Sequence, residues 1–259
     1  MRPVREAAVA VVTGAADGIG FDVVERLLAD GYRVVASDIN PDVTTRFPAA
    51  EAAGTLRPVV ADVAAQDSAG LLVETALNAF GQLDALVNNA GTGGRAAPVQ
   101  DVAGEDVLRV FEVNVLGTMR LCQAAMPHLR AQGSGRIVNV GSLFATQPVP
   151  DVSAYCMSKS AVRTLSHTLA LELGGHGVTV NTVAPGYILT SMHLASIARQ
   201  AAQRGITAQE HEKTLRERVP LGRHGAGADV AGAVAWLLSA DASYVTGQTI
   251  AVDGGLTLT

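Results

Sequence analysis

Tyr155 and Lys159 stand four residues apart in a stretch with helical periodicity, so their side chains share one face. A phenol ordinarily titrates near pH ~10 and is a poor base at neutral pH. An ammonium on the same face favours the phenolate and would draw that value toward the working range. Ser142 follows the apolar run Ile137 to Val140, and its hydroxyl can donate to the oxygen that the phenol serves. A hydroxyl, a phenol and an ammonium in this order suit one task, moving a proton on or off an alcohol or carbonyl oxygen. The same spacing also recurs without chemistry, as a half-buried ring beside a solvated amine. The elements that position these residues therefore decide the matter.

The strand before Ser142 is predicted over Arg136 to Val140. A loop with Pro148 and Pro150 follows, and then a helix from about Val152 to Leu173, with Asp151 or Ser153 as its cap. At the start of the chain, Ala8 to Val12 is a continuous apolar run of the kind found in buried parallel strands. It leads into Thr13-Gly14-Ala15-Ala16-Asp17-Gly18-Ile19-Gly20, a helix with Val23, Val24, Leu27 and Leu28 on one side, and a strand over Arg33 to Ser37 that ends at Asp38. Strand, glycine-rich turn, helix, strand and acid make up a dinucleotide-binding unit. The glycines let the backbone approach a pyrophosphate, the helix N-terminus offers free amides, and the acid accepts from the ribose hydroxyls.

The alternation continues. A strand over Leu56 to Ala61 ends at Asp62-Val63, and a helix spans Ser68 to Phe80. A strand over Asp84 to Val87 runs into Asn88-Asn89-Ala90-Gly91, and a long helix spans roughly Glu105 to Arg130. That helix contains Asn114, which costs helix stability and needs either exposure or a buried polar role. Strands over Val178 to Ala184, before Pro185-Gly186, and over Thr249 to Val252 complete the pattern. The predicted architecture is α/β: one domain over 1–259, a doubly wound Rossmann-type parallel sheet of about seven strands with helices on both faces.

A chain of 259 residues is long enough for one such core, and its net charge of −5 without a Lys/Arg run argues against a nucleic-acid partner. Only Cys122 and Cys156 are present, both in helical patterns, which argues against a disulfide framework and against a metal site. The first apolar run is too short for a signal peptide or a membrane anchor. The expectation is a soluble, cytoplasmic protein with a small-molecule substrate and no membrane partner.

In this order and at these intervals, Thr13-Gly14, Gly18-Ile19-Gly20, Asp62-Val63, Asn88-Asn89-Ala90-Gly91, Asn114, Ser142, Tyr155, Lys159 and Pro185-Gly186 resemble the motifs of the short-chain dehydrogenases/reductases, from end to end of the chain. The resemblance implies a set of roles. Tyr155 is the proton donor or acceptor, Lys159 lowers its pKa and holds the nicotinamide ribose, and Ser142 orients the substrate oxygen. Asn114 kinks its helix and binds a water that links Lys159 to solvent. Gly14, Gly18, Ile19 and Gly20 hold the pyrophosphate, Asp62 and Val63 meet the adenine, and Asn89, Ala90 and Gly91 line the cofactor groove. Pro185, Gly186, Ile188 and Thr190 meet the nicotinamide end. The residue before the serine, often Ser in the family, is Gly141 here, which would enlarge the site slightly. A homotetramer or homodimer is implied, packed through the Glu105–Arg130 and Val152–Leu173 helices and the C-terminal strand.

Asp38 would repel a 2′-phosphate. The positions where a basic residue would accompany the phosphorylated cofactor are Asp17 and Ile39, so NAD is expected over NADP, with no Arg or Lys nearby. The alternative for Asp17 is a plain helix cap. The substrate side is thinner in signal. Gly93, Arg95, Leu143, Phe144, Tyr187 and His193 are the candidate contacts, mostly apolar, and suit a medium-sized secondary alcohol or ketone. Arg95 or His193 would take a carboxylate or hydroxyl. Residues 190–221, helical and polar with a break at Gly205, read as a lid. A 3-oxoacyl-carrier reductase is the alternative, but Ala170-Leu171-Glu172 lacks the Arg that such enzymes tend to carry. Polyol or sugar oxidation is a further alternative, and a nucleotide-binding regulator would require a broken Ser-Tyr-Lys set, which is intact.

Overall fold

The computed structural model describes residues 7–258. Among these, the strands β1 (Val9–Thr13), β2 (Arg33–Asp38), β3 (Leu56–Val60), β4 (Ala85–Asn88), β5 (Gly135–Val140), β6 (Val178–Pro185) and β7 (Thr249–Val252) form one parallel sheet. Their order is β3-β2-β1-β4-β5-β6-β7. The chain winds one way from β1 and the other way from β4, so the carboxyl ends of β1 and β4 flank the switch point where such sheets open a crevice.

Alternation along each strand decides which helix it meets. Ala10, Val12, Val34 and Ala36 face α1 (Gly18–Ala29), through Val23, Val24 and Leu27, together with a later helix over Gly227–Leu238. Val9, Val11, Val35 and Leu86 face the opposite layer. That layer holds α3 (Ser68–Phe80), α5 (Thr118–Gln132) and α6 (Ser153–Leu173), through Leu72, Leu121, Leu129, Leu169 and Leu173. The remaining helices are α2 (Pro48–Ala52), α4 (Gly104–Phe111), α7 (Ser191–Arg204) and α8 (Ala208–Glu217), and Gly227–Leu238 is α9. Strand and helix positions follow the sequence pattern to within a residue or two. α9 is not marked by that pattern, because its run of Ala and Val residues is apolar on most sides and hides the helical period.

The predicted helix over Glu105 to Arg130 is three pieces. Between α4 and α5 the backbone widens into a π-turn over Glu112–Gly117, centred on Asn114. Such π-turns occur frequently at functional sites. Neither candidate cap starts α6. The N-cap position is Val152, and Asp151 turns into the left-handed region at φ 68, with its carbonyl accepting from the Ala97 amide at 2.8 Å. Cys122 and Cys156 are buried free thiols, and burial pushes the Cys122 thiol up to about 12. No described helix is long and apolar enough to cross a membrane.

A buried polar chain fixes α6 to the sheet. Asn88 donates to Asn139 at 2.8 Å, Asn139 donates to Ser166 of α6 at 2.8 Å, and Thr182 of β6 donates to the same hydroxyl at 2.9 Å. Thr182 also explains Gly141. A Cβ at position 141 would lie 2.7 Å from Thr182 Cγ2 and 3.3 Å from the Val183 carbonyl oxygen. The absent side chain therefore makes room for β6 and does not enlarge the site. Gly141→Ala is expected to lower unfolding stability by about 1–3 kcal/mol. Adding Thr182→Ser, which removes the methyl and keeps the hydroxyl, should restore part of the loss in urea denaturation; equal losses with and without Thr182→Ser would refute this account.

Candidate active site

A cavity of about 1340 Å³ opens over the carboxyl ends of the strands. One small ligand usually occupies about 300–1000 Å³, so this cavity has room for more than one. At one end it is lined by Gly14, Asp17, Gly18, Ile19, Asp38, Ile39, Asp62 and Val63. The middle carries Asn89, Ala90 and Gly91, and the other end Ser142, Tyr155, Lys159, Pro185, Gly186, Ile188 and Thr190.

The glycine-rich turn is shaped by close contact. Gly14 is left-handed at φ 67, and a Cβ there would sit 2.7 Å from Asn89 Nδ2. A Cβ at Gly20 would collide with the Gly14 carbonyl oxygen, so Gly20 supports the turn from behind and does not line the cavity. Asn89 Nδ2 donates to the carbonyls of Thr13 (2.9 Å) and Gly14 (3.0 Å), while the Thr13 hydroxyl accepts from the Asn89 and Ala90 amides. Asp17 is the N-cap of α1, but its side chain makes no capping hydrogen bond, so the helix-cap alternative does not hold and the first-turn amides remain open.

Asp38 is fixed by the Ala16 and Asn40 amides, each 2.9 Å from a carboxylate oxygen. The expectation of no nearby cation needs correcting. Arg46, eight residues farther along, donates to the Ala16 carbonyl at 2.7 Å and lies over the Phe21 ring. The tertiary fold returns this arginine beside the turn, and no local signal marks it.

Lys159 is 5% exposed, and its Nζ donates to the Val140 carbonyl at 2.7 Å. Burial draws its amine down to about 8. Its Nζ lies over the face of the Tyr155 ring, 5.7 Å from the centroid. The Tyr155 phenol is pushed up, first by burial and further by Cys156, while a hydrogen bond with Ser142 pulls it down. Burial is the largest of these influences on the phenol.

Asn114 is sealed behind the cavity wall. Its Oδ1 accepts from the Thr92 amide at 2.8 Å, and its Nδ2 donates to the Thr92 carbonyl and the Ser158 hydroxyl, both at 2.9 Å. Its own carbonyl accepts from Thr118 Oγ1 at 2.9 Å. Ser158, beside Lys159 in the sequence, carries no motif signal, yet it ties the π-turn to α6.

On the substrate side, Gly93, Leu143, Phe144, Tyr187 and His193 line the cavity. Arg95 does not; contrary to expectation, it is exposed on the loop. Arg109, Arg199, Arg204 and Arg218 line the rim instead. Residues 190–221 hold two helices, α7 and α8, with left-handed Gly205 after α7 and a capping box of Thr207 and Glu210 at the start of α8.

The family model described as enoyl-(acyl carrier protein) reductase matches residues 14–257. An uncharacterized oxidoreductase of Methylorubrum extorquens is 40% identical over 256 residues, covering 97% of this chain and 98% of that protein. Among solved structures, an actinorhodin polyketide ketoreductase with NADPH superposes with a TM-score of 0.92 at 33% identity, over 96% of this chain and 97% of that one. An NAD⁺-bound xylitol dehydrogenase does so with a TM-score of 0.90 at 31% identity, over 96% and 98%.

Asn114→Ala removes three side-chain hydrogen bonds and leaves buried partners unpaired. It should lower stability by about 2–3 kcal/mol, against roughly 1 kcal/mol for Ser158→Ala. Denaturant titrations of the two variants test this, and a near-zero cost for Asn114→Ala would show that the knot is not structural.

Proposed function

The chain belongs to the short-chain dehydrogenase/reductase family, and on that premise we propose that it interconverts a secondary alcohol and a ketone with NAD as the hydride carrier. One observation carries this reading: Ser142, Tyr155 and Lys159 share a cavity with the glycine-rich turn and Asp38. The bare turn at Gly14 and the open amides of α1 suit a pyrophosphate. When bound, a nicotinamide dinucleotide supplies a hydride acceptor for an alcohol or a donor for a ketone.

In this reading Gly14, Gly18 and Ile19 hold the pyrophosphate, with Gly20 shaping the turn behind them. Asp62 and Val63 flank the adenine, and Asn89 to Gly91 line the groove. Pro185, Gly186, Ile188 and Thr190 border the nicotinamide end. Ser142 donates to the substrate oxygen and Tyr155 exchanges its proton. Lys159 places a positive charge beside the phenol and holds the ribose, while Asn114 acts from behind, as a positioning residue. Residues 190–221 close over the substrate as a lid.

Asp38 supports NAD over NADP: its fixed carboxylate repels a 2′-phosphate, and Arg46 is already committed to the Ala16 carbonyl and the Phe21 ring. The oxidised carrier favours alcohol oxidation as the working direction. Exposed apolar residues on α4 and α6, Leu108 and Leu171, support assembly as a homotetramer through those helices. Two free thiols in the core support a cytoplasmic setting.

A second reading, reduction of a 3-oxoacyl group on an anionic carrier, is favoured by the arginine rim. Arg109, Arg199, Arg204 and Arg218 line it, and the rim acid Glu112 is already paired with Arg120 at 2.6 Å.

Assays with NAD⁺ and NADP⁺ over secondary alcohols, polyols and hydroxy acids, alongside NADPH with 3-oxoacyl thioesters, separate the two. Turnover confined to NADPH and thioesters would overturn the first reading. Tyr155→Phe should cut turnover by ~10²–10⁴-fold while leaving cofactor affinity near that of the parent. Asp38→Ser should raise the NADP⁺ to NAD⁺ ratio of kcat/KM by about tenfold or more, since it removes a charge beside the phosphate position. Because burial raises the Tyr155 phenol, the phenolate needed for oxidation grows as pH rises. Oxidation should therefore climb, and reduction fall, from about pH 7 to 9 in steady-state profiles; a flat pair of profiles would count against Tyr155 as the proton-exchanging group.

A further inference from the structure

A line of side chains runs between α7, α8 and the body of the fold, and the proton chemistry above does not use it. His193, in the first turn of α7, stacks on Tyr187, with ring centroids 5.3 Å apart and planes 13° apart. Its Nε2 lies 3.4 Å from Nδ1 of His224. His224 is buried, and its Nε2 faces Glu212 of α8, 3.1 Å from Oε1 and 3.3 Å from the carbonyl oxygen.

Hydrogen-bonding roles along this line are constrained. A carboxylate and a carbonyl only accept, so the hydrogen at His224 Nε2 must point to Glu212. The tautomer assigned here places one proton on His224, at Nε2, so that its Nδ1 is a lone pair that faces a donor. His193 must then carry its hydrogen on Nε2, which leaves His193 Nδ1 bare. Nδ1 of His193 has no partner among the described residues and is not sealed from solvent, unlike Nδ1 of His211, which is sealed. The ring lines the same cavity as Ser142 and Tyr155. Burial, helped by His224 and His211, draws His193 down to about 4, so the ring is neutral at ordinary pH and offers an acceptor, not a cation.

We propose that His193 determines substrate specificity: its Nδ1 accepts a hydrogen bond from a second hydroxyl of the substrate, so the enzyme favours a hydroxylated secondary alcohol or hydroxyketone over the deoxy counterpart. The proposal rests on the oxidoreductase reading above and narrows it. Of the two ligand groups the sequence left open for this residue, the hydroxyl fits and the carboxylate does not, because a bare lone pair repels an anion. Glu212 and His224 are positioning residues that hold the imidazole in the required tautomer, and Tyr187 holds its plane.

The test has two arms on the full-length protein. Nitrogen-15 NMR of the histidine side chains, from about pH 6 to 8, reads the tautomer without any turnover. His193 is expected as the Nε2–H form with unprotonated Nδ1, and an Nδ1–H form overturns the proposal. The second arm compares kcat/KM for cyclohexanediols, with the second hydroxyl at successive ring positions, against cyclohexanol. At least one diol should be preferred by about tenfold, the effect of one well-placed hydrogen bond. In His193→Phe, which keeps the stack on Tyr187 and removes the acceptor, that ratio should fall to about one. No preference in the parent, or a preference that survives in His193→Phe, overturns the proposal while leaving the oxidoreductase reading intact. Absence of turnover with every alcohol and ketone removes that reading, and the proposal with it.

Discussion

How closely the chain after β4 can approach the turn after β1 governs the carboxyl end of the sheet. Asn89 reaches across the switch point and bonds the Thr13 and Gly14 carbonyls, while the Thr13 hydroxyl takes two amides back. Each bond contributes only about 1 kcal/mol. The steric condition is harsher, because a side chain at Gly14 or Gly20 would occupy space already held by Asn89 or by the turn itself. Two unlinked stretches, 13–20 and 88–91, therefore form one unit. That unit leaves the amides of α1 facing an open cavity.

The other end of the cavity is held by buried polar contacts. Asn88, Asn139, Ser166 and Thr182 link three strands to α6, and Asn114 links the π-turn to Ser158 on the same helix. Tyr155 and Lys159 thus sit on a helix anchored at Ser158 and Ser166. The widened turn at Asn114 is a local cost that these partners offset. Lys159 has the same character: a buried amine, drawn down to about 8, persists because the Val140 carbonyl accepts from it.

Against this rigid floor, the roof is a helical pair joined at a single left-handed glycine. His193 of α7 and Glu212 of α8 meet Tyr187 and His224 of the body in a mixed stack of rings and hydrogen bonds, beside buried Ile197, Ala201 and Leu215. Elements of that kind open at lower free energy than the core.

The sequence by itself determined the strand and helix periods, the glycine-rich turn, Asp38, and the Ser142, Tyr155 and Lys159 set. Each of these rests on local spacing, and local spacing survives in one dimension. It did not mark α9, whose apolar residues surround the helix and erase the period, nor Arg46, Ser158 and the His224–Glu212 pair, whose partners are distant in sequence. It assigned Arg95 to the substrate, whereas the fold sends that residue to the surface and brings four other arginines to the rim. It read Gly141 as extra room, whereas β6 fills the space with Thr182. It tied the phenol to Lys159, whereas in the fold burial pushes the phenol up and a hydrogen bond with Ser142 draws it down. Chemistry-bearing residues could be found from their order along the chain. Their protonation, their exposure and their partners were decided only by the tertiary structure, because desolvation and close packing act between segments that the sequence keeps apart.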